Sequence, residues 1–356
     1  MMRKLLSKIR QTTIFNFCRQ LIPDKLVNLF FHLPLAFFAV IYYRYPAKEL
    51  KIIGVTGTDG KTTTSTLIYE ILKKSGLKTA LISTVSAKIG SKELPTGFHV
   101  TSANPWELQR LLRLIADKGF KYVVLEVTSH GLDQYRLFGC NFYIAAITNV
   151  THEHLDYHKR WERYLKAKAR LFKKVKFSIL NKDDKSFLKL KKLASGKIIT
   201  YSLKHADYTP RTFSFKTRLL GDYNLSNCLA AIVVTLTLGA RAKIIRKTLA
   251  NFKGVVGRMD EIKMGQNFKV FVDFAHTPNA LKQTLKTMKT LNPKNLIAVF
   301  GCAGLRDKTK RPMMGRIACQ LADKVVLTAV DPPTKDVNQI IKEITRGCKN
   351  KTKIYK

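Results

Sequence analysis

The chain is predicted to be α/β, with a phosphate-binding (P-loop) central domain on a mostly parallel sheet and a Rossmann-like domain after it. Three observations carry that prediction. From Lys51 onward, apolar runs alternate with amphipathic stretches. A glycine-rich loop, GVTGTDGKTTT (54–64), stands between the first apolar run and the first amphipathic stretch. Polar residues gather just past the ends of later runs, where ligands bind in open α/β sheets.

Residues 1–47 differ from the rest. A basic start (Arg3, Lys4, Lys8, Arg10) leads into LVNLFFHLPLAFFAVIYYRYP, apolar for nearly a membrane-spanning length but interrupted by Asn28, His32 and Pro34. No small-residue cleavage site follows, which argues against a cleaved signal peptide. A helical hairpin packed on the next domain and an interfacial anchor both fit better than a span.

The central domain is expected over 48–250. KIIGV reads as a strand, and TTTSTLIYEILKKSG has the apolar spacing of a helix. TALIST is a strand before a loop, PWELQRLLRLIADKG a helix, and KYVVLEV and FYIAAITNV are further strands. The helical NLSNCLAAIVVTLTLG leads towards a boundary near Asn251, and the C-terminal domain is expected over 251–356, with strands in FKVFVDFAH, NLIAVFGCAG and DKVVLTAVD.

At 356 residues the chain can bury a large core. Its formal charge of +40 is spread over almost every segment, thickest from Lys159 to Lys197 and at the C-terminus, without a nucleic-acid motif. Attraction to anionic substrates and to an anionic membrane face is the expectation, with no nucleic-acid partner. The six cysteines (Cys18, Cys140, Cys228, Cys302, Cys319, Cys348) form no C-x-x-C pair and read as structural, reduced thiols of a cytoplasmic protein.

In the loop, Gly57 and Gly60 let consecutive N–H groups converge on an anion, and Lys61 adds a full charge. Thr62 can offer its hydroxyl to magnesium, and the following helix points its N-terminus at the phosphates. The general Walker pattern is not met, because Val55 stands where it needs glycine; the shorter G-T-x-G-K-T-T is. Glu126 ends one strand; Asn149, His152 and His154 follow another; Asp273 and His276 follow a third. Each alone reads as a cap or turn residue, whereas several behind one phosphate loop point to a site.

These residues resemble the Mur ligase family, of the UDP-N-acetylmuramoyl-tripeptide synthetase type. The resemblance runs from about Lys51 to Asp336 through GVTGTDGKTTT, HVTSANPWELQRLL, LEVTSHGLDQYRL, TNVTHEHLDYH, YLKAKARLF, GDYNLSNCLAAI, GVVGRMD, VDFAHTPNAL and GCAGLRDKTKRPMMG. It implies an ATP-dependent ligase that activates a carboxylate as an acyl phosphate for attack by an amine, acting on a UDP-N-acetylmuramoyl-dipeptide and an amino acid in cytoplasmic cell-wall synthesis.

The implied roles fall residue by residue. Gly57, Thr58, Asp59, Gly60, Lys61, Thr62 and Thr63 cradle ATP, with Lys61 catalytic. Thr62 and Glu126 hold a first magnesium (Mg2+), and catalytic His154 serves a second. Lys168, also catalytic, is a metal ligand as a carbamate, with Lys166 the alternative. Asn227 reads the adenine, Asp273 the ribose and Arg258 the phosphates, while His276 orients the Asp273 loop. Thr101, Ser102, Thr128, Gln134 and Arg136 contact the acceptor; Ser129 and His130 read equally well as local hydrogen-bonding residues.

Three departures are expected. Residues 1–47 stand in place of the family's uridine-binding domain and supply peripheral membrane contact. The diaminopimelate-reading D-N-P-R stretch becomes V-D-P-P, with Pro333 where the arginine would be, so that specificity is not implied. The chain stops before the last strands of the family's C-terminal domain, so either the protein is shortened or the sequence is incomplete. Two other readings stay open: a ligase for another carboxylate, of the folylpolyglutamate or cyanophycin type, and an ATP-binding regulatory protein without ligation.

Overall fold

The computed structural model describes residues 23–95, 103–304, 307–330, 336–348 and 353–355. The apolar N-terminal segment forms one helix, α1 (Asp24–Tyr42), with a π turn over Asn28–His32. It lies against α3 (Pro105–Asp117), with Ala36, Ala39 and Val40 buried. Asn104 starts α3 by accepting from the Glu107 N–H at 3.0 Å, with Pro105 in the first turn where no donor is needed.

Eight strands make the central sheet: β1 (Lys51–Thr56), β2 (Thr79–Ile82), β3 (Ser86–Ile89), β4 (Lys92–Pro95), β5 (Tyr122–Glu126), β6 (Phe142–Ile147), β7 (Phe177–Asn181) and β8 (Lys197–Tyr201). Their order is β4-β3-β2-β5-β1-β6-β7-β8. From β2 to β8 all neighbours are parallel; β3 and β4 fold back antiparallel at one edge. The stretch after TALIST, expected as a loop, is therefore partly a two-strand extension.

Strand β1 sits between β5 and β6, so its carboxyl end opens onto the crevice between crossovers that leave on opposite faces. One face is covered by α3, α6 (Trp161–Ala169) and α7 (Phe187–Leu193), following the short helices α4 (Ser129–Asp133) and α5 (Leu155–His158). The other is covered by α2 (Lys61–Lys74), α8 (Asp222–Thr237) and α9 (Ala242–Asn251). Both faces being buried explains why strands such as KIIGV and YVVLE read as continuous apolar runs rather than alternating ones.

Past Asn251, β9 (Asp260–Ile262) and β10 (Val270–Val272) form an antiparallel hairpin. The FKVFVDF strand thus pairs with β9 and stands apart from the parallel sheet, β11 (Ile297–Phe300), β12 (Lys324–Leu327) and β13 (Lys353–Tyr355). That sheet packs with α10 (Pro278–Lys289), α11 (Lys310–Leu321) and α12 (Val337–Thr345) around a separate core.

The expectation that every thiol is free is corrected here. Cys319, in α11, and Cys348, just after α12, form a disulfide across 29 residues of sequence. Packing of α11 against α12 brings the two together, a tertiary event that cysteine spacing does not encode. Among the described residues, Cys140, Cys228 and Cys302 are free thiols; Cys18 lies outside them.

Candidate active site

The loop after β1 is held from behind by the segment after β6. The Thr58 N–H donates to Asn149 O at 2.9 Å, the Asp59 N–H to Asn149 Oδ1 at 3.0 Å, and Thr148 Oγ1 to Asp59 O at 2.6 Å. Two glycines are required by this tight seating. A Cβ at Gly57 would run into Thr148 Oγ1, and one at Gly60, which has φ +82°, into Asn227 Oδ1. Helix α2 begins immediately after Gly60, so the N–H groups of Lys61, Thr62 and Thr63 open its first turn.

Lys61 Nζ donates to Thr58 O at 2.9 Å and so hangs over the loop. Burial pushes its ammonium down, opposed by the charges of Glu126 and Asp59. Thr62 Oγ1 lies 3.1 and 3.2 Å from the two oxygens of Glu126, the buried last residue of β5. A hydroxyl and a carboxylate this close at a helix N-terminus form a hard-oxygen pair, which fits magnesium.

Lys168 is buried on α6 and donates to Gly57 O at 2.7 Å with its nitrogen 4.6 Å from the Tyr164 ring centroid; Lys166, two residues away, is exposed. Burial, reinforced by the charge of Lys61, drives the Lys168 ammonium well below its ordinary range. His154, at the N-cap of α5 with φ 57°, is likewise driven down by burial first and then by His130, Lys168 and Lys61. A neutral imidazole can ligate a metal where an imidazolium cannot.

The second domain reaches in from several segments. Arg258 donates to Thr62 Oγ1 at 3.3 Å and stacks on Phe274. Thr277 and Asn279, at the start of α10, each donate to the Asp59 carboxylate at 3.0 Å. Lys310 Nζ lies 3.1 and 3.3 Å from the Glu153 oxygens, and both side chains are buried. Burial raises the Glu153 carboxyl and Lys310 opposes it.

Breaking that buried pair leaves a charge without compensation. Lys310→Met is expected to cost about 3–5 kcal/mol in urea unfolding of the transition that reports the domain contact, and adding Glu153→Gln should recover most of it. Equal loss in the single and double variants would show that the pair is not what Lys310 contributes.

The remaining sequence candidates divide. Asp59 was expected on ATP, but its amide is taken by Asn149 and its carboxylate by the second domain, a sensible place for an anion beside a phosphate site. Asn227 packs against Gly60 and links to Asn224 at 3.1 Å, inside α8. Asp273 accepts from the Met259 N–H at 2.8 Å and from Thr284 at 3.2 Å, and His276 pairs with Phe274 O at 3.0 Å in the same loop.

Of the residues expected on the acceptor, Thr128 caps α4 by accepting from the Gly131 N–H at 3.0 Å, so part of its hydrogen-bonding capacity is structural. Gln134 keeps a buried Oε1 without a hydrogen-bond partner, and burial lowers the neighbouring Arg136. His130 meets His154 edge-to-face and Tyr157 at a tilt, while Ser129 bonds His158 at 3.0 Å. Thr101 and Ser102 lie outside the described residues. Sequence reading missed Glu153, Lys310, Asn279 and Asp307, the last 3.6 Å from His152 across the domains; GCAGLRDKTKRP held two of them, with nothing to say what they face.

Comparison with known proteins gives two family matches: the Mur ligase middle domain over residues 55–235 and the Mur ligase, glutamate ligase domain over residues 257–356. UDP-N-acetylmuramoyl-L-alanyl-D-glutamate--2,6-diaminopimelate ligase of Geobacillus thermodenitrificans is 37% identical over 341 residues, covering 88% of this chain and 69% of that protein. A solved structure of a ligase of the same name is 35% identical with a TM-score of 0.61, covering 86% of this chain and 67% of that one. Mycobacterium tuberculosis folylpolyglutamate synthase, at 16% identity and a TM-score of 0.72 over 91% of this chain and 85% of its own, shares the fold.

Proposed function

The chain belongs to the Mur ligase family, and from that premise we propose that it is an ATP-dependent acid–amino acid ligase. It adds an amino acid to a UDP-N-acetylmuramoyl-dipeptide through an acyl phosphate, in cytoplasmic synthesis of peptidoglycan precursors. The observation that carries this reading is the convergence of Lys61, Thr62, Glu126 and buried Lys168 on one glycine loop, with Arg258 arriving from the second domain.

In this reading the α2 N-terminus and Lys61 bind the ATP phosphates, and Arg258 completes the pocket as the domains meet. Thr62 and Glu126 would hold one magnesium, and His154 with Lys168 as its carbamate would serve a second. When bound, magnesium neutralises phosphate oxygens. Burial favours the uncharged form of the Lys168 nitrogen, the form that can take up carbon dioxide. Asn227 and Asp273 address the adenosine, and Gln134 with Arg136 the acceptor, for which the unpartnered Gln134 oxygen is a ready acceptor of a hydrogen bond. Residues 1–47 add a peripheral contact with a membrane face.

The test is phosphate release from ATP by the full chain with magnesium, UDP-N-acetylmuramoyl-dipeptide and a panel of amino acids. Release should require both acceptor and amine, with a product heavier by one residue. Because Pro333 cannot make the bidentate carboxylate contact of an arginine, diaminopimelate should show no large preference over lysine. Phosphate release indifferent to amine would instead indicate an ATP-binding protein without ligation.

A further inference from the structure

Helix α1 carries two apolar faces of different character. The inner face is narrow and small: Ala36, Ala39 and Val40 are buried, with Val40 seated on Gly139. Asn28 fixes the other end, donating to Asp133 O and Asp133 Oδ2 at 3.2 Å and to Tyr157 at 3.3 Å. The outer face is wide and bulky, with Phe30, Phe31, Phe37, Phe38, Ile41 and Tyr42 all exposed, Phe30 by 73%. A contiguous exposed patch of large apolar side chains marks a docking surface.

Charge decides between occupants. Residues 1–48 hold eight Lys and Arg against one acid, Asp24, and the whole chain carries +40. Lys25 stands at one end of the helix and Arg44 and Lys48 just past the other. Two copies meeting through this face would bring like charges together, whereas an anionic bilayer neutralises them while accepting the aromatic rings. Tyr42 and Tyr43, packed on Trp106 with centroids 5.4 and 6.1 Å away, form an aromatic cluster of the kind that settles at the headgroup level.

We infer that α1 is an interfacial anchor that lays its Phe30–Tyr42 face on an anionic phospholipid surface. The inference deepens the peripheral contact named above by assigning it to this face and this orientation. The helix lies along the surface, because its inner side is fastened to the folded domain by Asn28 and Val40; a span would pull that domain into hydrocarbon. The fastening also sets the acceptor residues beside the lipid plane, since Asp133 and Tyr157 border Gln134 and His130.

The experiment is flotation of the full chain with phosphatidylglycerol and with phosphatidylcholine vesicles, for the wild type and a Phe30→Glu, Phe38→Glu double variant. Both positions are exposed, so the variant should keep the wild-type melting curve and its ligase turnover on a soluble acceptor. The wild type should bind phosphatidylglycerol, and the variant should bind at least tenfold more weakly. Equal binding by wild type and variant would overturn the assignment to α1 while leaving a membrane contact elsewhere in 1–47. No binding by either, or light scattering showing a wild-type dimer that the variant disperses, would overturn the lipid partner in favour of none or of a second copy. Turnover is scored separately, so failure here leaves the ligase reading standing.

Discussion

Lys61→Ala should lower ATP turnover by roughly 10³-fold or more, the scale on which a single cation aimed at a transferred phosphoryl group acts. The ammonium is half-buried, hangs from Thr58 O and is opposed by the charges of Glu126 and Asp59, so its removal takes away the one full positive charge the loop itself contributes. Folding should survive, since the loop is pinned independently by Asn149 and Thr148. The measurement is steady-state phosphate release beside a melting curve. Near-normal turnover with an unchanged melting temperature would sink the assignment of this loop to ATP.

Lys168→Ala should be at least about a hundredfold less active, comparable with losing one electrostatic stabiliser of a transition state. The buried nitrogen lies on Gly57 O, within the field of Lys61 and His154, where an ammonium would repel magnesium and a carbamate would bind it. Short carboxylic acids such as acetate at millimolar concentration should restore part of the lost rate by standing in for the carbamate. Lys166→Ala, altering an exposed side chain, should be fully active and indifferent to acetate. A fully active Lys168→Ala enzyme rules out the assignment.

Much of the candidate site's geometry is legible in the sequence because it is local. A phosphate loop is one strand, one turn and one helix in sequence order, and residues at strand ends announce themselves by following apolar runs: Glu126 after YVVL, Asn149 after FYIAAI. Lys168 came from the resemblance, since a lysine on a helix is exposed by default and nothing in the spacing buries it. What pairs across domains was not legible. Asp59 looked like part of the cradle, and its partners Thr277 and Asn279 lie more than two hundred residues away. Glu153 meets Lys310 at a separation of 157 residues. The disulfide and the pairing of β10 with β9 failed for the same reason: side chains and strand edges choose partners by proximity after folding. The extension over β3 and β4 was missed because an edge strand leaves one side unpaired and carries a weaker apolar signature than a buried one.

Asp59 belongs to the phosphate loop by sequence and to the domain contact by its side chain, and that dual membership has a thermodynamic corollary. With nucleotide on the loop as proposed, that equilibrium and the docking of the second domain meet at one residue, and any difference in nucleotide affinity between the docked and undocked states couples them. Linkage makes their influence mutual: the factor by which domain contact tightens nucleotide is the factor by which nucleotide tightens domain contact. A side chain placed to catch α10 is therefore where such coupling would pass, and weakening the grip at Thr277 and Asn279 should change nucleotide affinity by the same factor that nucleotide changes the domain contact.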